Sequence, residues 1–365
     1  MRTSWNRIVV VATAIFAILG AVQAMGQGFS GLGGDAEGFS VPEPGKPFVF
    51  PRDHAAHNDY RIEWWYLTAN LRDADGNRYG LQWTLFRSAL TPEAGTRFSP
   101  GQMWFAHAAV TTASKHFTSE TIARGGLGTA GVTAEPFKAW INGWEMLGQA
   151  KPSDDALSRL RLKASGLDFS YDMELTSDGP LVFHGDGGYS VKSETGQASY
   201  YYSQPFYKVR GTINLPDGPV EVSGNAWLDR EWSSQPLSAD QTGWDWISLH
   251  LDTGDKLMGF QLRNTDGSVY TSASWIGADG VTEPIPDPHL KMEPLSRTVV
   301  AGRQVPTRWR VTLPRRNLDV TIDAVNPKAW MDLSIAYWEG PVAVSGTHSG
   351  IGYLEMTGYP VSAAN

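Results

Sequence analysis

The residue types that could do acid–base chemistry gather in three aromatic segments. These are His57-Asn58-Asp59-Tyr60-Arg61-Ile62-Glu63-Trp64-Trp65-Tyr66, Trp227-Leu228-Asp229-Arg230-Glu231-Trp232 and Gly243-Trp244-Asp245-Trp246. A carboxylate set among indoles loses hydration and its pKa rises, so near neutral pH it becomes a general acid or base. Asp229 and Glu231 are the best-placed pair. On a strand they share one face with Trp227, their alpha carbons about 6.6 Å apart, while Leu228, Arg230 and Trp232 face the other way. That spacing suits two-carboxylate chemistry or a polar ligand head, and equally an arginine-linked cluster joining two domains. Glu63 poses the same choice: an acid or base beside Trp64 and Trp65, or an ion pair with Arg61 or Arg87, and pairing is favoured. Asp245 shares an otherwise apolar face with Ile247 and Leu249, so it pairs with Arg230 or Arg263 or else serves chemistry.

Other chemistries find less support. His57 and His107 stand in aromatic or small-residue surroundings, where a proton relay, a metal ligand and a hydrogen-bonded histidine are the alternatives. The last is favoured, because no His-x-His, His-x-x-x-His or His-Glu-x-x-His spacing occurs and no zinc or non-haem iron site is expected. Cysteine is absent, which removes thiol nucleophiles, thiolate metal sites and thiol redox chemistry. No Gly-x-Ser-x-Gly elbow is present. Gly125-Gly126-Leu127-Gly128 lacks the lysine of a phosphate cradle, and no cofactor is expected. A net charge of -8 argues against nucleic acid as a partner.

Strands must position these residues. Tyr79, Leu81, Trp83 and Leu85 alternate with period two after the turn Asp73-Ala74-Asp75-Gly76-Asn77, so residues 62–87 are expected to form a hairpin. Further strands are expected at 103–111, 157–162, 167–175, 200–202, 207–213, 220–227, 246–251, 257–263, 268–276, 307–313, 318–324, 342–345 and 352–357. Short helices are expected at 134–143 and 329–337. Many short strands with turns between them make an all-β protein, and 365 residues suit two antiparallel barrels. The boundary is expected at 207/208, giving barrels over 49–207 and 208–365. Arg2 and Arg7, the apolar run Ile8–Ala21 and Val22-Gln23-Ala24 have the layout of a signal peptide cleaved after Ala24. The mature protein is then expected to be exported, periplasmic or secreted, without an integral membrane span. Gly, Ser and Pro over 25–48 suggest a flexible linker.

Several motifs together carry a family resemblance. Glu63-Trp64-Trp65-Tyr66, Tyr79 to Arg87, Ala106-His107-Ala108-Ala109, Trp227 to Ser234, Gly243 to Trp246 and Gly352 to Tyr359 resemble the exported AttH-like proteins. That group, described as predicted secreted hydrolases, is related to the carotenoid 1,2-hydratases. The resemblance spans about 50 to 360. It implies two packed lipocalin-like barrels, a hydrophobic or isoprenoid-like ligand and, in some members, proton-initiated addition of water to a double bond. It also implies components of an ABC transporter as partners. The hydratases use histidine and aspartate on strands early in the second barrel; Asp229 matches one such acid, whereas 257–263 holds neither residue. The expected cleft is walled by Trp64, Trp65, Trp83, Trp227, Trp244 and Trp246, with Arg87, Arg230 and Arg263 as electrostatic anchors. Asp229 is its proton donor, beside Glu231, with His107 or Glu63 as relay. The competing expectation is a lipid carrier or accessory factor of an export system, its acids purely structural.

Overall fold

The computed structural model describes residues 36–93, 95 and 101–362. The signal-peptide expectation lies outside them. The first sheet contains β1 (Ile62–Arg72), β2 (Arg78–Ala89), β3 (Gln102–Thr111), β4 (His116–Arg124), β5 (Ala130–Ala134), β6 (Phe137–Ile141), β7 (Trp144–Gly148), β8 (Arg159–Ser165), β9 (Ser170–Thr176), β10 (Val182–Phe183), β11 (Tyr189–Val191), β12 (Ala198–Leu215) and β13 (Gly218–Ser233). The second contains β14 (Gln241–Leu251), β15 (Lys256–Asn264), β16 (Val269–Ile276), β17 (Thr282–Ile285), β18 (Lys291–Val300), β19 (Arg303–Leu313), β20 (Leu318–Ala324), β21 (Trp330–Met331), β22 (Tyr337–Gly346) and β23 (Gly350–Met356). Both are antiparallel and curled, the first into a barrel and the second into a half-barrel. The protein is all-β, as its alternation requires.

The first sheet runs in the order β4-β3-β2-β1-β13-β12-β9-β8-β7-β6-β5. Residues 208–233, expected in the second barrel, therefore stay in the first. The reason is the long hairpin of β12 and β13, closed by Pro216-Asp217, with Gly218 at a φ of +121°. Pro205, which ends the pairing at Gln204 until it resumes at Tyr207, makes a bulge inside one strand rather than a boundary. Residues 36–48 are also no free linker: Phe48 packs on Phe50, Phe183 and Trp232, and the Glu43 backbone N–H donates to Tyr200 Oη at 2.8 Å.

Neither expected helix forms. Residues 134–143 hold β6, where Phe137, Ala139 and Ile141 turn inward on alternate positions and Asn142-Gly143 makes a two-residue turn into β7. Residues 329–337 hold the two-residue β21, paired with the start of β22. Strands β4, β5, β7, β10, β11, β17 and β18 were not expected; β7, β10 and β11 are short, and β4, β5, β17 and β18 carry no clean alternation.

The interior of the first barrel is solid. Trp65, Trp83, Trp104, Trp144, Tyr171, Tyr202 and Tyr207 fill it with aliphatic residues between them. A second core, with Trp309 and Trp338, lies inside the half-barrel. A third cluster joins Tyr66, Tyr201 and Trp227 of the first sheet to Trp246, Phe260 and Tyr353 of the second, so the sheets meet through an apolar seam.

Candidate active site in the seam between the sheets

Strand β1 lies between β2 and β13, and its register assigns every side chain to one of two interiors. Trp64 opposes Glu231 and Phe86, and Tyr66 opposes Asp229. Residues directly opposite share a face, so these five point toward the second sheet. The intervening Glu63 and Trp65 oppose Arg87, Arg230 and Trp232 and point into the first barrel. On the second sheet Trp246 opposes both Phe260 and Glu355, and Glu355 opposes Glu339.

Between the two faces lies a cavity of about 560 Å³. Trp64, Trp244 and Trp246 face it with Tyr66, Tyr201, Tyr337, Phe86, Phe105 and Phe260, and its polar members are Asp229, Glu231, Glu355, Lys192, Arg61 and Ser88. The volume is that of an ordinary small-molecule site.

Asp229 is the central acid. Trp227 Nε1 donates to its Oδ1 at 2.6 Å, Ser203 Oγ donates to the same oxygen, and Tyr201 Oη donates to Oδ2 at 2.8 Å. Trp246 Nε1 in turn donates to Tyr201 Oη at 3.0 Å, which commits the tyrosine proton to Asp229. Burial pushes the Asp229 carboxyl up to about 7; its three donors oppose the rise and Glu231 adds to it. Across the cavity Trp244 Nε1 donates to Glu355 Oε1 at 2.8 Å. Burial pushes Glu355 up to about 7 as well, with Asp229 and Glu231 contributing. Two acids that repel one another favour the state in which only one is ionised. Glu339 accepts from Tyr66 Oη at 2.6 Å, and burial and Glu355 push it well above the carboxylate range. Glu231 is different: Lys192 Nζ lies 2.8 Å from its Oε1 and Ser199 donates to it.

The remaining expected residues divide by face. Glu63 is a structural anion in the barrel wall, bound by Arg87 and Arg230 and by the His57 backbone N–H at 2.9 Å. Burial alone would raise it, but the two guanidinium groups hold it far below the usual carboxylate range, so it is neither acid nor relay. Arg87 and Arg230 are consumed there; Arg230 also lies 3.8 Å over the Trp65 ring. Arg263 pairs with Asp245 at 2.5 Å. None of these three arginines lines the cavity, and neither do Trp65 and Trp83, which are barrel core, or Trp227, which reaches the site only through its N–H to Asp229. His107 lies behind the wall, 3.0 Å from Tyr337 Oη and 3.0 Å from Glu120 Oε1. Burial lowers its pKa, with Glu120 opposing. Among the described residues no group of three or more His, Asp or Glu is placed to hold a metal, and no helix is long and apolar enough to cross a membrane.

Sequence reasoning missed Glu355, Glu339, Tyr201 and Lys192. Glu355 and Tyr201 carried a signal, an acid and a phenol within apolar strand runs.

The AttH-like family model matches residues 41–359. The chain belongs to the AttH-like family. A crystal structure assigned to AttH from Nitrosomonas europaea is 34% identical, with a TM-score of 0.78 over 88% of this chain and 100% of that one. Kievitone hydratase from Nectria haematococca shares the AttH-like fold at 14% identity and a TM-score of 0.66, over 87% of this chain and 95% of its own. CghA, solved with Sch210972, does so at 12% and 0.52, over 91% and 98%. No functionally curated protein matches the sequence significantly.

Proposed function

We propose that this AttH-like protein is exported, holds an elongated, largely apolar molecule of isoprenoid or lipid type between its sheets, and protonates a double bond of that molecule from Asp229. The observation that carries the reading is a carboxyl of neutral-range pKa on the wall of an apolar cavity faced by three indoles. At about 30 Å³ per water-sized group the cavity takes on the order of 20 heavy atoms, which fits a short isoprenoid or one acyl chain.

The chemistry follows from where the protons sit. Oδ1 of Asp229 already accepts two hydrogen bonds and Oδ2 only one, so the acid proton belongs on Oδ2. Transfer to one alkene carbon leaves the neighbouring carbon cationic, and the faces of Trp64, Trp244 and Trp246 stabilise that charge. A water oxygen bonds to the cation and its surplus proton goes to ionised Glu355. One water is added and one proton moves from Asp229 to Glu355. The three donors on Asp229 are oriented for the carboxylate before it forms. That kievitone hydratase shares the fold is consistent with addition of water.

Organic extraction of the purified protein, with mass spectrometry of the extract, identifies the retained molecule. Asp229→Asn is expected to abolish its turnover while leaving its binding intact. Binding without turnover in the native protein, unchanged in the variant, would instead mark a carrier serving an ABC-type export system.

A further inference from the structure

Behind the cavity wall a second chain of hydrogen bonds ends on Asp229. His184 follows β10 and is fully buried, its ring 4.2 Å from that of Tyr201 between centroids. Its Nε2 lies 2.6 Å from Ser203 Oγ, the hydroxyl that donates to Asp229. Its Nδ1 lies 2.9 Å from Ser274 Oγ on β16. Ser203 belongs to the first sheet and Ser274 to the second, so this chain crosses the seam. Both serines are completely buried.

The protons in this chain can be assigned. Ser203 has one hydrogen, and an ionised Asp229 claims it. Nε2 must then donate to Ser203 Oγ, since a lone pair there would face a lone pair. A neutral imidazole with its hydrogen on Nε2 accepts at Nδ1, so Ser274 donates to it. Every donor points toward Asp229, as Trp246 Nε1 does behind Tyr201. Burial, with repulsion from Lys192, pushes the His184 pKa well below the usual value, so the ring stays neutral wherever Asp229 titrates.

We propose that His184 is a positioning residue: fixed as its Nε2–H tautomer by Ser274 of the opposite sheet, it commits the Ser203 proton to Asp229 and so sets the strength of the cavity acid. The packing of the two sheets thereby enters the acidity of a group on the cavity wall. The other ionisable groups facing Asp229 are Tyr66 from β1, Tyr201 from β12, Glu231 from its own strand, Glu355 from β23 and Lys192 between β11 and β12. None replaces the Ser203 donor.

This inference rests on Asp229 as proton donor for its functional meaning, but its test needs no substrate. Asp229 is titrated by carbon-13 NMR of its side-chain carboxyl, the resonance being assigned by its loss in Asp229→Asn. A hydrogen bond to a charged group is worth about one to two pH units. The midpoint is therefore expected to rise by about one unit or more in Ser203→Ala, which removes the bond, and by less in His184→Leu and in Ser274→Ala, where Ser203 keeps its bond to Asp229 and loses only the donors behind it. His184→Gln, which keeps a donor on a side chain of similar reach, is expected to restore most of the shift. An unmoved midpoint in His184→Leu with a raised one in Ser203→Ala would overturn the role of His184, and unmoved midpoints in both would overturn the whole chain. Should His184→Leu fail to fold, Ser274→Ala and His184→Gln decide: a midpoint in Ser274→Ala equal to native refutes the tautomer lock. Shifted midpoints in a protein without turnover would sink the catalytic reading and leave the positioning intact.

Discussion

Replacing Asp229 by Asn changes the pH dependence of stability, and the sign follows from burial. The carboxyl titrates near 7 in the folded protein and near 3.8 in the unfolded chain. Below 3.8 both states are protonated and the group costs nothing. Between 3.8 and 7 the unfolded chain ionises while the folded protein keeps its proton, so stability falls by about 1.4 kcal/mol per unit. Above 7 both are ionised and the full penalty, on the order of 4 kcal/mol, is in place. Asparagine removes the titration. It keeps an acceptor for Trp227 and Ser203 but presents an N–H to Tyr201, a loss of about 1 kcal/mol. The variant is therefore expected to be about 0.5 kcal/mol less stable than native at pH 4 and about 3 kcal/mol more stable at pH 8. Denaturant unfolding of both proteins from pH 4 to 8, followed by tryptophan fluorescence, measures the difference; other titrating groups largely cancel, except Glu355, whose midpoint falls when the Asp229 charge is removed. A difference constant across that range would refute the buried acid and the proton delivery derived from it.

Three other outcomes follow. Glu63→Gln leaves Arg87 and Arg230 buried without their shared counter-ion and is expected to lower stability by about 3–5 kcal/mol in denaturant unfolding. Because the folded pKa of Glu63 is depressed, its contribution is present above the unfolded value and is lost only in strong acid, so native and variant should converge there. At Gly80 an added Cβ would stand 2.5 Å from Pro341 Cδ and 2.9 Å from Tyr353 Oη across the seam. Gly80→Val is expected to lower stability by about 1–3 kcal/mol by thermal unfolding, and to weaken binding of the extracted molecule. Trp244→Phe keeps the ring face but removes the donor to Glu355, whose midpoint in a carboxyl NMR titration should rise above about 7.

The sequence made the fold class legible because alternation is a local signal: Tyr79, Leu81, Trp83 and Leu85 turn toward the first interior as their spacing demands. It misassigned 134–143 because Asn142-Gly143, a strong signal for a two-residue hairpin, was overlooked between two five-residue strands. The boundary at 207/208 failed for a different reason. Strands were expected at 200–202 and 207–213 with the division between them, yet one strand runs through because neighbours on each side complete its hydrogen bonding. In the site, Asp229, Glu231 and the indoles of Trp64, Trp244 and Trp246 could be found from local context. What alternation could not supply is which of two buried faces is hollow. Trp64 and Trp65 are chemically alike and adjacent, yet one lines the cavity and the other carries Arg230 in a packed core.

That ambiguity explains why the first segment crowds acids, arginine and histidine among its aromatic residues. A strand with one wet face alternates apolar and polar residues, whereas β1 and the second half of β13, from Ala226 to Ser233, are buried on both faces. Their charged residues must therefore find partners inside, and the two faces solve this differently. On the barrel face two arginines answer one glutamate, which is firmly ionised, and the cluster is structural. On the seam face stand Asp229, Glu231, Glu339 and Glu355 against Lys192, which is taken by Glu231, and Arg61, whose Nε donates to the Ser234 carbonyl. Acids left in excess in a dry seam cannot all ionise, so some stay protonated near neutral pH. Paired strands thus hold a carboxylate, Glu63, that stays anionic except in strong acid and a carboxyl, Asp229, that keeps a transferable proton, and the balance of cations against acids on each face decides which. Adding a cation to the seam should erase the distinction. Leu262→Lys, placed on the cavity wall beside Trp244, is expected to pull the Asp229 and Glu355 midpoints down by about one unit or more and to suppress proton delivery at neutral pH. Midpoints that stay near 7 in a folded Leu262→Lys protein would show that solvation, not the shortage of positive charge, governs these acids.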